Sequence, residues 1–362
     1  ESPNGAQPMG NHIIGTGMHV PANVVTNKDL ARIMDTDDDW IVARTGIRER
    51  RFVDEGQGAS DLAIAAGIEA LEDADVSPAD VDVVVTATMT PDYVAPGIAG
   101  LVQAGLGLGD VPTFDLRQQC SGFLFALDLA DAWLTSGRGA TALIIGAEVH
   151  AGFQPWSRES WLEVLGQGSG DLAEPDYQVN TAHRAWSVLF GDGAGAMVLR
   201  RGEDPDSGVL ASSLHTDGRS FELIWVPGVG FRSRPYVSAA RIEEASHLPQ
   251  MDGAGLFRKA VKMMPEATRT AARTAGLDID DIDLVVAHQA NDRILQGVRR
   301  ELGMGAEQVP SNIETYGNTT SGTIPILYHE LRSAGKVPPG SVVAFTAFGA
   351  GAHYGAVIYR EP

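Results

Sequence analysis

Cysteine is all but missing from this chain: Cys120 is the only one in 362 residues. An intramolecular disulfide is therefore impossible, and a metal site built from a cysteine cluster is excluded. A lone thiol fits a reducing, cytoplasmic setting. Lysine is also scarce, present only as Lys28, Lys259, Lys262 and Lys336. Arginine supplies the rest of the 27 basic residues, against 47 acidic ones and a formal net charge of −20. A field of that sign excludes nucleic-acid binding through overall charge. Long apolar runs are lacking too, since no stretch reaches the roughly 20 apolar residues that a membrane span needs. Residues 1–11 are polar, with Gly and Pro, and lack a basic stretch leading into an apolar one. They read as a loose tail, not as a signal peptide.

What is present is ample material for a core, with 44% hydrophobic residues. The sequence also echoes itself. Residues 75–88, DVSPADVDVVVTAT, match 276–288, GLDIDDIDLVVAH; each reads as an acidic turn feeding a buried apolar strand. Later, LFGDGAGAMVL at 189–199 matches AFGAGAHYGAVI at 347–358, a glycine loop running into a strand. Two matches in the same order indicate a duplicated unit. The boundary falls in the polar stretch 201–207, giving halves 1–205 and 206–362. Strands are expected at 83–85, 114–116, 142–145, 284–287 and 342–345. Helices are expected at 98–106, 122–134, 265–275, 293–302 and 324–333. A further helix is capped by Ser60, with Ile64, Ile68 and Leu71 on one face. Continuous apolar strands alternating with helices predict an α/β fold with sheets covered on both faces. Two stretches, 149–184 and 231–252, fit this pattern poorly and read as lids, binding loops or disorder.

Cys120 lies in FDLRQQCSGFLFALDLADAWL, at a turn between a strand and a buried helix. Unpaired N–H groups at such a helix start favour a thiolate and predict a lowered thiol pKa. A free cysteine is, however, more often a small buried hydrophobe. His288 ends the strand LVVAH, where ligands meet α/β sheets, and Asn318 sits in the polar turn of ETYGNTTSGTIPIL. Alone, Asn318 reads as a helix-cap or turn residue. The remaining histidines carry no comparable context. The glycine loops lack GxGxxG spacing and precede strands, which argues against a dinucleotide site.

Together these segments resemble the β-ketoacyl-ACP synthase III family of the thiolase superfamily. The resemblance spans residues 13–359 and rests on IIGTGMHVPANVVTN, DDDWIVARTGIRERR, CSGF, AHQAN, YGNTTSG, FGDGAGA and FGAGAHYG. It implies a duplicated five-layer αβαβα sandwich, an acyltransferase activity and a homodimer. It makes Cys120 the acyl-accepting nucleophile, with backbone N–H groups of Cys120 and Ala350 as the oxyanion site. His288 and Asn318 become hydrogen-bond donors to the second substrate's thioester oxygen. Trp40, Arg44 and Asn291 match coenzyme A contacts, and Arg293 and Arg300 match a surface that docks acyl carrier protein. The substrates implied are coenzyme A or carrier-protein thioesters, with no metal and no redox cofactor. The implied product is a β-ketoacyl thioester, made by decarboxylative condensation with a malonyl-type thioester in fatty acid or polyketide-type biosynthesis.

Some positions depart from the family pattern. Ala350 stands where glycine is usual, and its backbone angles must suit an alanine. Ala95, before Pro96, replaces a bulky residue that closes the partner's acyl pocket, which predicts room for longer acyl primers unless Tyr93 fills it. A thiolase proper needs a second cysteine, which this chain lacks. Non-decarboxylating relatives use a glutamate near this proline, where only Asp92 is acidic. Transfer to another acyl chain or to an O or N acceptor in secondary metabolism stays open as an alternative. A non-catalytic partner subunit would usually have lost the nucleophile.

Overall fold

The computed structural model describes residues 10–362, so the expected loose tail lies outside the described residues except for its last two positions. Those two already belong to the fold: Asn11 opens a strand and its buried amide donates to Asp131 Oδ1 at 2.7 Å.

Two sheets organise the chain. The first has the spatial order Asn11–His19, Gly193–Arg201, Thr141–Glu148, Val83–Ala87, Thr113–Leu116. The second has the order Gly208–Thr216, His353–Arg360, Val342–Gly349, Leu284–Ala287. From the first-named edge, each runs through two antiparallel pairings and then a parallel one. Only Thr113–Leu116 lacks a counterpart strand. Beside it Val84 N donates to Pro112 O at 3.1 Å, and in the second sheet Val285 N donates to Gln308 O at 2.7 Å. The chain near Gln308 thus stands at the matching edge without forming a strand. The chain passes from one sheet to the other between Arg201 and Gly208.

The echoed sequences fold alike. Ser77 opens the short turn Pro78–Asp80 and Asp278 opens Ile279–Asp281, each leading to the strand that follows. Asp82 then accepts from Ala140 N and Thr141 N, while Asp283 accepts from Val342 N. Every residue of Val83–Ala87, Thr141–Glu148, Leu284–Ala287 and Val342–Gly349 is buried. That is why these strands read as unbroken apolar runs: helices cover both faces. The helix Ala59–Asp73 packs on the outer face of the first sheet. Gly253–Thr274 and Asp292–Leu302 pack on the outer face of the second. Between the sheets lie Gly122–Thr135 and Thr323–Ser333, sharing one core with both. This is the five-layer αβαβα sandwich.

Several expectations are corrected. The cap of Ala59–Asp73 is Gly58, and Ser60 lies within the first turn, where its N–H and hydroxyl bind Asp92. The buried face of that helix is Leu62, Ala63, Ala66, Ala70 and the expected Leu71, with Ile64 packed against the same core, whereas Ile68 is 45% exposed. Close packing explains the choice of small residues. A Cβ on Gly15 would come within 2.5 Å of Ala70 O, and one on Gly17 within 2.4 Å of Ala66 O. The helix expected at 265–275 begins at Gly253 and carries Pro265 inside it. Residues 149–184 are largely ordered as Arg158–Val164 and the first turns of Glu174–Ser187, instead of forming a loop. Trp156 and Trp161 there pack edge-on against Phe52, at 5.5 and 5.3 Å between centroids, in a satellite core with Leu30, Ile33 and Ile41. Residues 231–252 do stay mostly irregular, with a short helix, Ala239–Glu243, and a two-residue strand, Gln250–Met251.

Candidate active site

Cys120 sits in the short turn Gln119–Ser121, which opens the helix Gly122–Thr135 after the strand Thr113–Leu116. Gln119 holds φ at 53°, a left-handed value uncommon for a side-chain-bearing residue and one that turns the chain sharply before the thiol. The end of Val342–Gly349 runs against this turn. A Cβ at Gly349 would lie 2.9 Å from Cys120 N and 3.0 Å from Ser121 N, so only glycine permits the approach. The approach brings Ala350 N–H, with Cys120 N–H, to the sulfur. Ala350 has no positive φ, and Gly351 takes that conformation instead, so the alanine fits.

The thiol is not the low-pKa group the sequence suggests. Burial, reinforced by the nearby charge of Glu148, pushes Cys120 up to about 12. The two backbone N–H groups and the Thr320 hydroxyl pull the other way but do not prevail. A short turn supplies little dipole, and desolvation of an anion is the larger effect.

The second half of the site converges on one turn, Thr320–Gly322. Asn318 Oδ1 accepts from Thr320 N at 2.8 Å, which leaves its amide –NH2 as the free end. The Asn318 backbone is pinned by Asn318 N donating to Leu189 O at 2.9 Å and Gly191 N donating to Asn318 O at 3.1 Å. His288 follows the strand Leu284–Ala287; its Nδ1 lies 2.7 Å from Thr323 Oγ1, and Thr323 donates to Thr320 O at 3.0 Å. Its Nε2 is buried with no partner among the described residues. Burial lowers the imidazole to about 3, so it is neutral. A buried ring nitrogen without a partner is costly unless a ligand completes it.

Two buried groups here were missed. Glu148 ends the strand Thr141–Glu148 and accepts from Thr90 Oγ1 at 2.6 Å and Thr88 Oγ1 at 3.2 Å. Its Oε1 lies 2.8 Å from Ser321 Oγ, and burial raises the carboxyl to about 7. His150, two residues on, is also fully buried and is lowered to about 4 by desolvation. It meets Thr320 Oγ1 at 2.8 Å and Gly191 O at 2.9 Å. The missed signal was an acidic end to the apolar run ALIIGAE, the same strand-end placement that singled out His288.

The remaining candidates lie further out. Arg44 lies over Trp40 at 4.3 Å, and Arg184 lies over the same ring at 4.8 Å. Asn291 caps the helix Asp292–Leu302 by accepting from Ile294 N at 3.0 Å. Arg293 and Arg300 are exposed on that helix and form no ion pair among the described residues. An open cavity of about 940 Å³ is lined in part by Met89, Tyr93, Val94, Phe153, Phe231 and Tyr236. Cys120, His288 and Asn318 are outside its lining, as is the exposed Ala95 that follows Val94. Asp92 is engaged as the partner of Ser60.

Comparison with known proteins fits this arrangement. The 3-oxoacyl-[acyl-carrier-protein (ACP)] synthase III family model matches residues 114–172 and 176–218, and its C-terminal model matches 272–361. A β-ketoacyl-[acyl-carrier-protein] synthase III from Rhizorhabdus wittichii is 39% identical over 348 residues, covering 96% of this chain and 98% of that protein. The crystal structure of 3-oxoacyl-[acyl-carrier-protein] synthase III from Aquifex aeolicus superposes with a TM-score of 0.82 at 38% identity, covering 97% of this chain and 100% of that one. A priming β-ketosynthase from a polyketide biosynthetic pathway superposes with a TM-score of 0.81 at 29% identity, covering 99% and 100% of the two chains. The chain belongs to the 3-oxoacyl-[acyl-carrier-protein] synthase III family, and its fold is the thiolase fold of these enzymes. It is an acyl-transferring condensing enzyme.

Proposed function

We propose that this family member loads an acyl group onto Cys120 and condenses it with a malonyl-type thioester, releasing CO2 and a β-ketoacyl thioester. The observation that carries the residue assignment is the convergence on one turn: the only thiol, an unpartnered His288 Nε2 and the free amide end of Asn318. In acylation, the sulfur attacks the thioester carbonyl and the N–H groups of Cys120 and Ala350 hold the oxyanion. The carrier thiol leaves. In condensation, the incoming carbonyl oxygen takes hydrogen bonds from Asn318 and from His288 Nε2. Donation from Nε2 requires the Thr323 hydroxyl to turn from Thr320 O to His288 Nδ1, which leaves the ring proton on Nε2. Decarboxylation builds enolate charge on that oxygen, and the carbanion then attacks the acyl-cysteine. Each step uses only these donors, so the chemistry requires neither metal nor redox cofactor.

The thioester handle is assigned to Trp40, Arg44 and Asn291, with Arg184 joining Arg44 on the Trp40 ring. Two guanidinium groups on one indole suit a phosphorylated adenine nucleotide. Arg293 and Arg300, exposed on an acidic protein, suit an acidic carrier. We further assign the enzyme to the cytoplasm and to a homodimer in which the segment around Ala95 borders the partner's acyl pocket. Alanine there leaves room, and each methylene buried adds about 0.8 kcal/mol. The test is to incubate the protein with acetyl, octanoyl and dodecanoyl thioesters of coenzyme A and a malonyl thioester. Acyl-Cys120 by mass spectrometry and CO2 release are expected, with the longer primers preferred. Absence of a Cys120 adduct overturns the mechanism, and a clear preference for acetyl overturns the open pocket.

A further inference from the structure

His150 has no part in the steps described above, yet its buried ring bonds to two residues that themselves hold Asn318. It follows the strand Thr141–Glu148 in the first half of the chain, whereas Asn318 lies in the second. His150 Nδ1 lies 2.9 Å from Gly191 O, and Gly191 N donates to Asn318 O at 3.1 Å. Asn318 Oδ1 accepts from Thr320 N at 2.8 Å, and Thr320 Oγ1 lies 2.8 Å from His150 Nε2. His150, Gly191, Asn318 and Thr320 thus close a ring of hydrogen bonds.

The chemistry of each partner places the protons in this ring. A carbonyl can only accept, so His150 Nδ1 carries the proton and donates to Gly191 O. Burial lowers the imidazole to about 4, so it is neutral and its Nε2 is a lone pair. Thr320 therefore donates its hydroxyl proton to Nε2. A hydroxyl has one proton, so while it serves His150 it does not also serve the Cys120 sulfur. The backbone N–H of Thr320 can only donate, so it faces the oxygen of the Asn318 amide and turns the –NH2 the other way. Which end of the amide is presented depends on where that N–H stands. Thr320 is β-branched and holds φ at 50°, a costly conformation for such a side chain. A partner for its hydroxyl helps to hold it there. The imidazole is itself fixed, by stacking on Phe190 at 4.7 Å between centroids and by its backbone N–H donating to Asp192 Oδ1 at 2.6 Å.

We propose that His150 is a positioning residue for Asn318, holding its amide with the –NH2 free by gripping Thr320 on one side and Gly191 on the other. His150 transfers no proton in this role. Its effect falls on condensation, where the Asn318 amide acts, and not on acylation, which uses the N–H groups of Cys120 and Ala350. The role rests on Asn318 being a donor to the enolate oxygen, as proposed above, and the two can fail separately.

His150→Phe keeps the ring volume and the stacking on Phe190 and removes both ring hydrogen bonds. Condensation by enzyme acylated beforehand is expected to fall about 30- to 100-fold, the cost of a group misplaced by about 1 Å, while acylation of Cys120 followed by mass spectrometry stays within about threefold of wild type. In an Asn318→Ala background no amide remains to be positioned, so adding His150→Phe should cost condensation no more than about twofold further. His150→Gln, whose amide oxygen reaches the Nε2 position and accepts from Thr320, should recover most of the loss. Thr320→Val removes the same bond from its other end and should repeat the loss of condensation, which covers the case in which His150→Phe fails to fold. Wild-type condensation in a folded His150→Phe or in Thr320→Val overturns the role. So does the same fractional loss with and without the Asn318 amide, or an equal loss in acylation and condensation, either of which makes His150 a support for the fold alone. A His150→Gln variant no better than His150→Phe also overturns it. An Asn318→Ala variant that condenses at the wild-type rate would instead sink the donor assignment itself.

Discussion

The turn before the helix Gly122–Thr135 and the turn before Thr323–Ser333 share a backbone. Gln118 and Thr319 lie at φ/ψ of −93/23° and −90/23°, and Gln119 and Thr320 follow at φ of 53° and 50°. Cys120 in one turn therefore corresponds to Ser321 in the other. Their surroundings differ. The first turn presents a sulfur to two N–H groups and otherwise makes few polar contacts. The second is saturated: Asn318, Thr320, Ser321 and Thr323 bond to one another, to His150, His288 and Glu148, and to Ala87 O. On the proposed mechanism, two copies of one local structure divide the work. One offers a reactive atom with little around it, and the other fixes the groups that act on it. The same unfavourable φ is tolerated in both because the turn must reverse direction before a helix buried between the sheets.

Substitutions at matched positions test that division. The largest effect is expected for Cys120→Ser, which should cut acyl transfer by roughly 10⁴–10⁶-fold with little change in thermal unfolding. Retention of most of the acylation rate would end the comparison. Asn318→Ala comes next. It should leave acylation near wild type while condensation falls about 10²–10³-fold, the cost of an oxyanion donor. Rapid-quench measurement of the two half-reactions decides this, and an equal fall in both would mean that the two turns do not divide the chemistry.

Glu148→Gln probes the charge between the turns. Ser321 has one hydroxyl proton yet lies 2.8 Å from both Ala87 O and Glu148 Oε1, so a proton on Glu148 completes the network. Its pKa is raised by burial from 4.5 to about 7. The unfolded chain therefore loses this proton near pH 4.5 while the folded one keeps it. The stability contribution is fully present below pH 4.5 and is lost as pH rises towards 7. Glu148→Gln should remove up to about 2–3 kcal/mol of that loss. Denaturant melts at pH 5 and 7 that show the same slope in variant and wild type would refute it. The smallest effect is expected for Ser321→Ala, the counterpart of the nucleophile substitution. It should cost about 1–3 kcal/mol of stability for an unmet buried acceptor and only a few-fold in turnover. A loss approaching that of Cys120→Ser would show that the second turn takes part in bond making.

The sequence made the architecture legible because duplication repeats its signals: the acidic turns at Ser77 and Asp278 and the glycine loops could be matched without coordinates. The placement of Cys120, His288 and Asn318 at a strand end and in pre-helix turns was legible, and such places are where α/β folds expose side chains. The ionisation of Cys120 was not, since burial is decided by segments far away, Gly349 and Thr320 among them. The face of Ala59–Asp73 was misread at Ile68, and its alanines were overlooked because close contact with Gly15 and Gly17, far off in the chain, is what demands them. The order within 149–184 was hidden because its partners, Ile33, Ile41 and Phe52, come from a distant part of the chain.

The helices Gly122–Thr135 and Thr323–Ser333 lie side by side between the two sheets, one carried by residues before the crossing at Arg201 to Gly208 and one by residues after it. Turnover is therefore a report on whether two pieces of polypeptide have come together. A chain nicked within that crossing would have every functional group and no peptide joining them. On the proposed mechanism, activity in such a nicked chain would require the two pieces to assemble around their shared core.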